Sequence, residues 1–218
     1  MQILTHIINT LPVFGINDTL EEVIQFFKYT TYSHVAITED NIYVGVLAEN
    51  DLEIFESQQV IEDYRYQMES FFAQEDTSWL DVLELFARNE ANLIPVLGKE
   101  RRVLGYYDLN DIVTVFIDTP FFTEPGAMLV VAKPEKDYSF SEIAQIVESN
   151  NTKLLGAFIT DTRNELVQVT IKIGSANFNE VVQTFRRYKY NILFGNKEDQ
   201  FLEDLKERSD YLDKYLNV

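Results

Sequence analysis

The 218-residue chain contains no cysteine. That excludes disulfides, a thiolate nucleophile and cysteine-ligated zinc, and it suits a cytoplasmic protein. Histidine is nearly as scarce: His6 and His34 are the whole supply, so HExxH and multi-histidine metal sites are impossible. The eight glycines, at 15, 45, 98, 105, 126, 156, 174 and 195, form no GxG pair and no GxxxxGK loop. The usual dinucleotide and P-loop signatures are therefore missing. Gly174-Ser175-Ala176-Asn177 lacks the second glycine of a nucleophile elbow. The longest apolar runs, such as Gly126–Ala132, are strand-length, and no basic segment followed by an apolar one opens the chain. Neither a membrane span nor a signal peptide is expected.

Positive charge is short too. Lys+Arg number 18 against 36 Asp+Glu, a net charge of −18. Residues 1–120 hold 21 acidic and 6 basic side chains, a net of −15, whereas residues 121–218 hold 15 and 12, a net of −3. No basic face for a phosphate backbone is expected, which argues against nucleic acid as a partner. The carboxylates Glu49, Asp51 and Glu53 could hold Mg²⁺ or do acid–base work, but a solvated helix start is the plainer reading. No catalytic constellation is visible, and a non-enzymatic protein needing no cofactor or metal is expected.

What is present is a repeat. A gapless offset of sixty aligns Leu20 with Leu80, Val23 with Leu83 and Phe26 with Phe86. It aligns Val35 with Pro95, Ile37 with Leu97, Gly45 with Gly105 and Asn50-Asp51 with Asn110-Asp111. Asp18-Thr19-Leu20-Glu21 reads as a capping box opening a helix with Leu20, Val23, Ile24 and Phe27 on one face. Strands follow at 34–38 and 42–47, and Asn50-Asp51 caps a further helix. The second copy predicts a helix at 78–87, strands at 93–97 and 102–107, and a helix from about 111 to 117. Between the copies Val60, Ile61, Tyr64, Met68, Phe71 and Phe72 predict an amphipathic helix.

Asp-Thr-Leu-Glu before the first helix, Leu93-Ile94-Pro95-Val96 opening a strand, and GVLAEND (45–51) beside GYYDLND (105–111) resemble a tandem pair of CBS domains, the Bateman module. The resemblance covers residues 10–118. It implies two clefts that commonly hold adenine nucleotides. The final Asp of each motif, here Asp51 and Asp111 after Asn50 and Asn110, would accept hydrogen bonds from ribose hydroxyls. The family's phosphate-side hydroxyl falls on Ala48 and Asp108, which lack it; Asp108 would also repel phosphate. His34 stands where family members place a cleft-lining residue, although a packed structural histidine is the competing reading. Asp51 and Asp111 read equally as helix caps. Lys99, Arg101 and Arg102 sit in a hairpin turn, where a solvated role is expected.

After Thr119-Pro120 the pattern changes. Strand 127–133, a helix opened by the capping box Ser139–Glu142, strands 154–160 and 167–173, a helix capped by Asn177 and a strand at 191–194 give βαββαβ. This order resembles a ferredoxin-like ACT domain, and the combination is similar to CBS-pair–ACT proteins of the acetoin-utilisation type. The glycine that ACT domains often place after the first strand is missing from Lys133–Asp137, so dimer pairing is expected here rather than amino-acid binding. Phe201, Leu205, Leu212 and Leu216 predict an amphipathic helix at the end of the chain.

The expected fold is α+β. It comprises a CBS pair (1–119, divided near 60), an ACT-like domain (120–196) and a tail helix (197–218). The expected function is a cytoplasmic regulatory sensor that binds an adenine nucleotide or nucleoside, AMP or adenosine ahead of ATP. It would signal through a homodimer or a protein partner. The alternative is a dimerisation scaffold with ligand-free clefts.

Overall fold

The computed structural model describes residues 3–54 and 56–195, and the chain divides into two compact units between Ile117 and Asp118. In the first unit, one repeat comprises β1 (Phe14–Gly15), α1 (Leu20–Tyr29), β2 (His34–Glu39) and β3 (Ile42–Ala48), followed by a 3₁₀ turn at Glu49–Ile54. The other comprises β4 (Ala73–Gln74), α2 (Trp79–Arg88), β5 (Leu93–Leu97), β6 (Val103–Asp108) and α3 (Leu109–Ile117). Each repeat makes a three-stranded sheet, β1-β2-β3 or β4-β5-β6, whose short first strand is parallel to the second.

Strand pairing corrects the gapless offset. His34 lies opposite Ala48 and Leu93 opposite Asp108, so His34 corresponds to Leu93 at an offset of 59, while Ala48 corresponds to Asp108 at 60. The second hairpin holds the extra residue. The first turns through Asp40-Asn41, both left-handed, with Glu39 opposite Ile42. The second runs through Gly98–Arg102, with Glu100 and Arg101 left-handed. Burial follows the corrected register. Val23 and Val82 are both buried, as are Phe27 and Phe86, whereas Leu80 is 58% exposed and is no counterpart of the fully buried Leu20. Burying each such side chain contributes about 2 kcal/mol.

The repeats are interleaved. Ile8, ahead of the first repeat, exchanges backbone bonds of 2.8 and 2.9 Å with Tyr106 on β6 of the second. Glu69, ahead of the second, exchanges bonds of 2.9 and 3.1 Å with Val46 on β3 of the first. Each lead-in segment thus adds a bridge to the other repeat's outer strand, and the two glycines sit under it. A Cβ on Gly45 would stand 2.9 Å from the Glu69 carbonyl; on Gly105, which has φ +148°, it would meet the Ile8 carbonyl and stand 2.7 Å from Ile7 Cγ2. Tyr106 reinforces the join, its buried hydroxyl accepting from Ala36 N–H (3.0 Å) and donating to the Pro12 carbonyl (2.7 Å).

The connector is not the amphipathic helix its periodicity predicts. A 3₁₀ segment, Ile61–Gln67, is broken at Tyr64 (φ −110°, ψ 16°), and the chain extends at Met68. An α-helix through Phe72 would withdraw Glu69 from Val46. Ile61, Tyr64 and Phe71 are buried in the shared core. The Asp18–Glu21 capping box is not formed either. Asp18 Oδ2 accepts from Gly15 N–H at 2.6 Å, and the first amides of α1 donate to the Gln59 and Ser57 carbonyls of the connector. Backbone has replaced the side-chain cap.

The second unit contains α4 (Pro120–Thr123), β7 (Ala127–Pro134), α5 (Phe140–Ser149), β8 (Leu154–Arg163), β9 (Leu166–Ile173), α6 (Phe178–Arg187) and β10 (Asn191–Phe194). Its sheet has the order β10-β7-β9-β8 and is antiparallel throughout. Leu129, Val131, Val169 and Ile171 pack with Ile143, Ile146 and Val147 of α5 and Val181, Val182 and Phe185 of α6. The predicted capping box at Ser139 fails because Glu142 is drawn to the buried Lys133 at 2.5 Å. Asn177 makes no side-chain cap; left-handed at φ 53°, it donates instead to the Asn150 carbonyl at 2.9 Å. The predicted tail helix lies outside the described residues. Among the described residues no helix is long and apolar enough to cross a membrane.

Candidate functional site

Each repeat turns a corner from its last strand into a helix, and the site residues expected from sequence sit at these two corners. At the second, Asp108 is the cap: its Oδ1 accepts from the amides of Asn110 (2.7 Å) and Asp111 (3.4 Å). Asp111 is therefore not the cap of α3. It stands exposed in the first turn, and its carboxylate makes no hydrogen bond or ion pair with a described residue. At the first corner Ala48 offers no side-chain acceptor, and Asn50 and Asp51 lie inside the 3₁₀ turn rather than ahead of an α-helix. Matching backbone bonds tie both corners down, from Glu49 N–H to the Ser33 carbonyl (2.8 Å) and from Leu109 N–H to the Asn92 carbonyl (3.0 Å).

Ser33 and Asn92, equivalent at the offset of 59, clasp each other between the corners. Ser33 N–H donates to Asn92 Oδ1 at 2.8 Å, Asn92 N–H donates to Ser33 Oγ at 2.9 Å, and Asn92 Nδ2 reaches the Thr31 carbonyl at 2.7 Å. The sixty-residue register hid this pair. Next to it, Tyr32 of the first repeat lies close enough to Asp108 and Asp111 of the second to feel their charge. Burial first, then these carboxylates, pushes its phenol pKa up. Its ring stacks on Phe26 at 6.1 Å and 14°. One half-buried aromatic ring, one capping carboxylate and one exposed carboxylate thus lie in the same neighbourhood where the repeats join.

His34 is packed. Its ring is 5% exposed and stands edge-on to Phe71 at 5.0 Å. Nδ1 lies 2.8 Å from Ser33 Oγ and Nε2 3.9 Å from Glu69 Oε1. Desolvation lowers its pKa to about 4, so at neutral pH the imidazole is uncharged and the long contact with Glu69 is no ion pair. Arg101 is not simply solvated: its guanidinium lies 5.7 Å from the rings of both Tyr43 and Phe72. Arg102 meets Glu100 at 3.7 Å on the surface. A cavity of about 350 Å³ opens beside Gln74, Glu75, Asp76, Leu97, Gly98 and Lys99. It lies at the opposite end of β5 from Leu93 and its partner Asp108. Among the described residues no group of three or more His, Asp or Glu is arranged to hold a metal ion.

Two interleaved repeats with equivalent strand-to-helix corners define a class of paired small-domain modules. The sequence model of the CBS domain matches residues 5–53 and 61–118, and the N-terminal unit is a tandem CBS-domain pair. Among solved structures, a CBS domain pair/ACT domain protein from Thermotoga maritima is 18% identical, with 54% of this chain and 98% of that chain covered and a TM-score of 0.49. The CBS domains of a Streptococcus pneumoniae transcriptional regulator are 14% identical, over 52% of this chain and 98% of that one, with a TM-score of 0.47. CBSX2 in complex with AMP is 14% identical, over 53% and 96%, with a TM-score of 0.44. No curated protein matches the chain.

Proposed function

We propose that the chain is a non-catalytic sensor whose CBS pair binds an adenine nucleoside or nucleotide and alters its contacts with a second copy or a protein partner. The observation that carries this reading is the division of labour at the second corner. Asp108 does the capping, which leaves the Asp111 carboxylate exposed and near enough to Tyr32 for its charge to raise the phenol's pKa. A carboxylate free of partners is a strong acceptor for a ribose diol, and an aromatic face suits a purine. Asp108 meanwhile holds the amides a phosphate would need and repels it by charge, so adenosine or AMP is favoured over ATP. At the first corner Asp51 and Asn50 are the corresponding candidates, with Ala48 leaving the phosphate side without a hydroxyl. His34 contributes a neutral wall.

In this reading residues 120–196 are a ferredoxin-like, ACT-like domain of the acetoin-utilisation type, and their task is dimerisation. The βαββαβ order and the four-stranded antiparallel sheet support it. A scaffold with ligand-free clefts is the second reading, favoured by Ala48 and by the self-satisfied Asp108. Titration calorimetry with adenosine, AMP and ATP separates the two. The sensor binds adenosine or AMP and loses that binding in Asp111→Ala; a protein silent to all three is the scaffold.

A further inference from the structure

The sheet of the second unit packs α5 and α6 on one face, through Leu129, Val131, Val169 and Ile171. Opposed residues in a ladder share a face, so Phe194, Val130, Thr170 and Phe158 form one row across all four strands on the other side. In the neighbouring row Met128, Lys172 and Gly156 lie side by side. The short helix α4 reaches only the end of that row, where a Cβ on Gly156 would meet the Phe121 ring. Two features show that water is not what this face is made for. β7 runs Ala127-Met128-Leu129-Val130-Val131-Ala132, apolar on both sides, which is the pattern of a strand covered on each face. Yet Phe158 and Phe194, at the two ends of the row, are 45% and 58% exposed. The second feature is Lys172. It is 8% exposed, and its Nζ donates to the Phe122 carbonyl at 3.2 Å and lies 5.8 Å from the Phe121 ring. Among the described residues no carboxylate pairs with it, whereas a buried charge ordinarily has a partner.

We propose that residues 197–218 of the same chain cover this face. The path of the chain selects this occupant. Gly195 directly follows Phe194, which pairs with Val130, so the segment begins at the border of the row it would cover. Phe201, Leu205, Leu212 and Leu216 give it one apolar stripe for the exposed phenylalanines and β7. Around that stripe stand seven acidic and four basic side chains, which supply carboxylates for Lys172. The reach suffices. Phe158 stands three strand spacings from β10, about 14 Å. The stretch from Phe194 to Leu205 covers about 16 Å even at the rise of a helix. Nothing in this covering depends on the nucleotide corner.

The cysteine-free chain lets a single thiol report on the face. Val130→Cys places one in the row, and Ala144→Cys places one on α5 in the other layer; both positions are half-buried. In the full-length chain, Leu205→Asp with Leu212→Asp should raise the rate at which Val130→Cys reacts with a disulfide reagent by about tenfold and leave Ala144→Cys unchanged. Circular dichroism confirms that each variant is folded. A Val130→Cys rate untouched by the two replacements overturns the proposal. An equal rise at both thiols overturns it as well, because the replacements would then act on the whole unit. So does protection of Val130→Cys that appears only as the protein is raised from about 1 to about 100 μM, since a second copy would then be the cover.

Discussion

Gly105→Ala should be far more damaging than Gly45→Ala, although the two glycines occupy equivalent positions. At Gly105 the backbone has φ +148°, a region L-residues rarely enter, and strain of that kind costs about 1–3 kcal/mol. The new methyl would also meet the Ile8 carbonyl and stand 2.7 Å from Ile7 Cγ2. Moving that segment away sacrifices the two Ile8–Tyr106 backbone bonds, each contributing about 1 kcal/mol. The sum is about 3–5 kcal/mol. Gly45 lacks the positive φ, and its added Cβ stands 2.9 Å from the Glu69 backbone carbonyl and 3.0 Å from Met68 Cβ, so the backbone at Glu69 must shift but carries no φ strain in addition. A cost of about 1 kcal/mol is expected there. The only tryptophan, Trp79, packs 5.2 Å from Phe116 and reports on the CBS pair alone. Urea titration followed by its fluorescence therefore measures this unit without the other. A Gly105→Ala loss below about 1 kcal/mol, or equal losses for the two variants, would refute the interleaving as the reason these glycines are needed.

Burial holds His34 near pKa 4 against an ordinary 6.5, so the unfolded chain takes up a proton that the folded one refuses between these values. Stability should be fully present above pH 6.5 and fall by about 3 kcal/mol toward pH 4; Trp79-monitored urea midpoints across that range should flatten in His34→Gln. Asn92→Ala removes the acceptor for Ser33 N–H and the donor to the Thr31 carbonyl. It should cost about 2 kcal/mol and weaken any ligand bound at the corners, read by the same titration and by calorimetry. In the second unit burial pushes Glu142 up, but the hydrogen bond and charge of Lys133 outweigh it and hold the carboxyl below its ordinary value. Its contribution is present above the usual carboxylate range and lost as pH falls through the lowered value. Far-ultraviolet circular dichroism on acidification should show Glu142→Gln insensitive to that step.

The elements were largely legible because their signals are local. Val167, Val169, Ile171 and Ile173 alternate, and all face the core; Phe178, Val181, Val182 and Phe185 recur at helical spacing, and all are buried. What sequence could not supply was set by distant backbone. The capping boxes at Asp18 and Ser139 fail because connector carbonyls in one case and Lys133 in the other offer better partners. The connector reads as helical because Ile61, Tyr64 and Met68 sit at helical spacing, yet the pairing of Glu69 with Val46 ends its 3₁₀ segment at Gln67 and extends the chain from Met68. At the site, Asp111 and Asp108 were both visible, but a residue type does not say which carboxylate caps. Tyr32, Ser33 and Asn92 were missed for a different reason. One residue added in the second hairpin shifts the register upstream from 60 to 59, and only strand pairing reveals it.

In the proposed sensor the corner holding Tyr32 and Asp111 takes an adenine nucleoside. Calorimetric titration of adenosine into the wild-type chain and into Asp111→Ala tests it most directly. A ligand bound to the native state also raises apparent stability, so a thermal shift should accompany the heat. The sensor should show saturable binding of adenosine or AMP, weaker binding of ATP, and loss of all of it in Asp111→Ala while the fold is kept. Unchanged adenosine affinity in Asp111→Ala, or no heat and no thermal shift with millimolar ligand in the wild type, would contradict it.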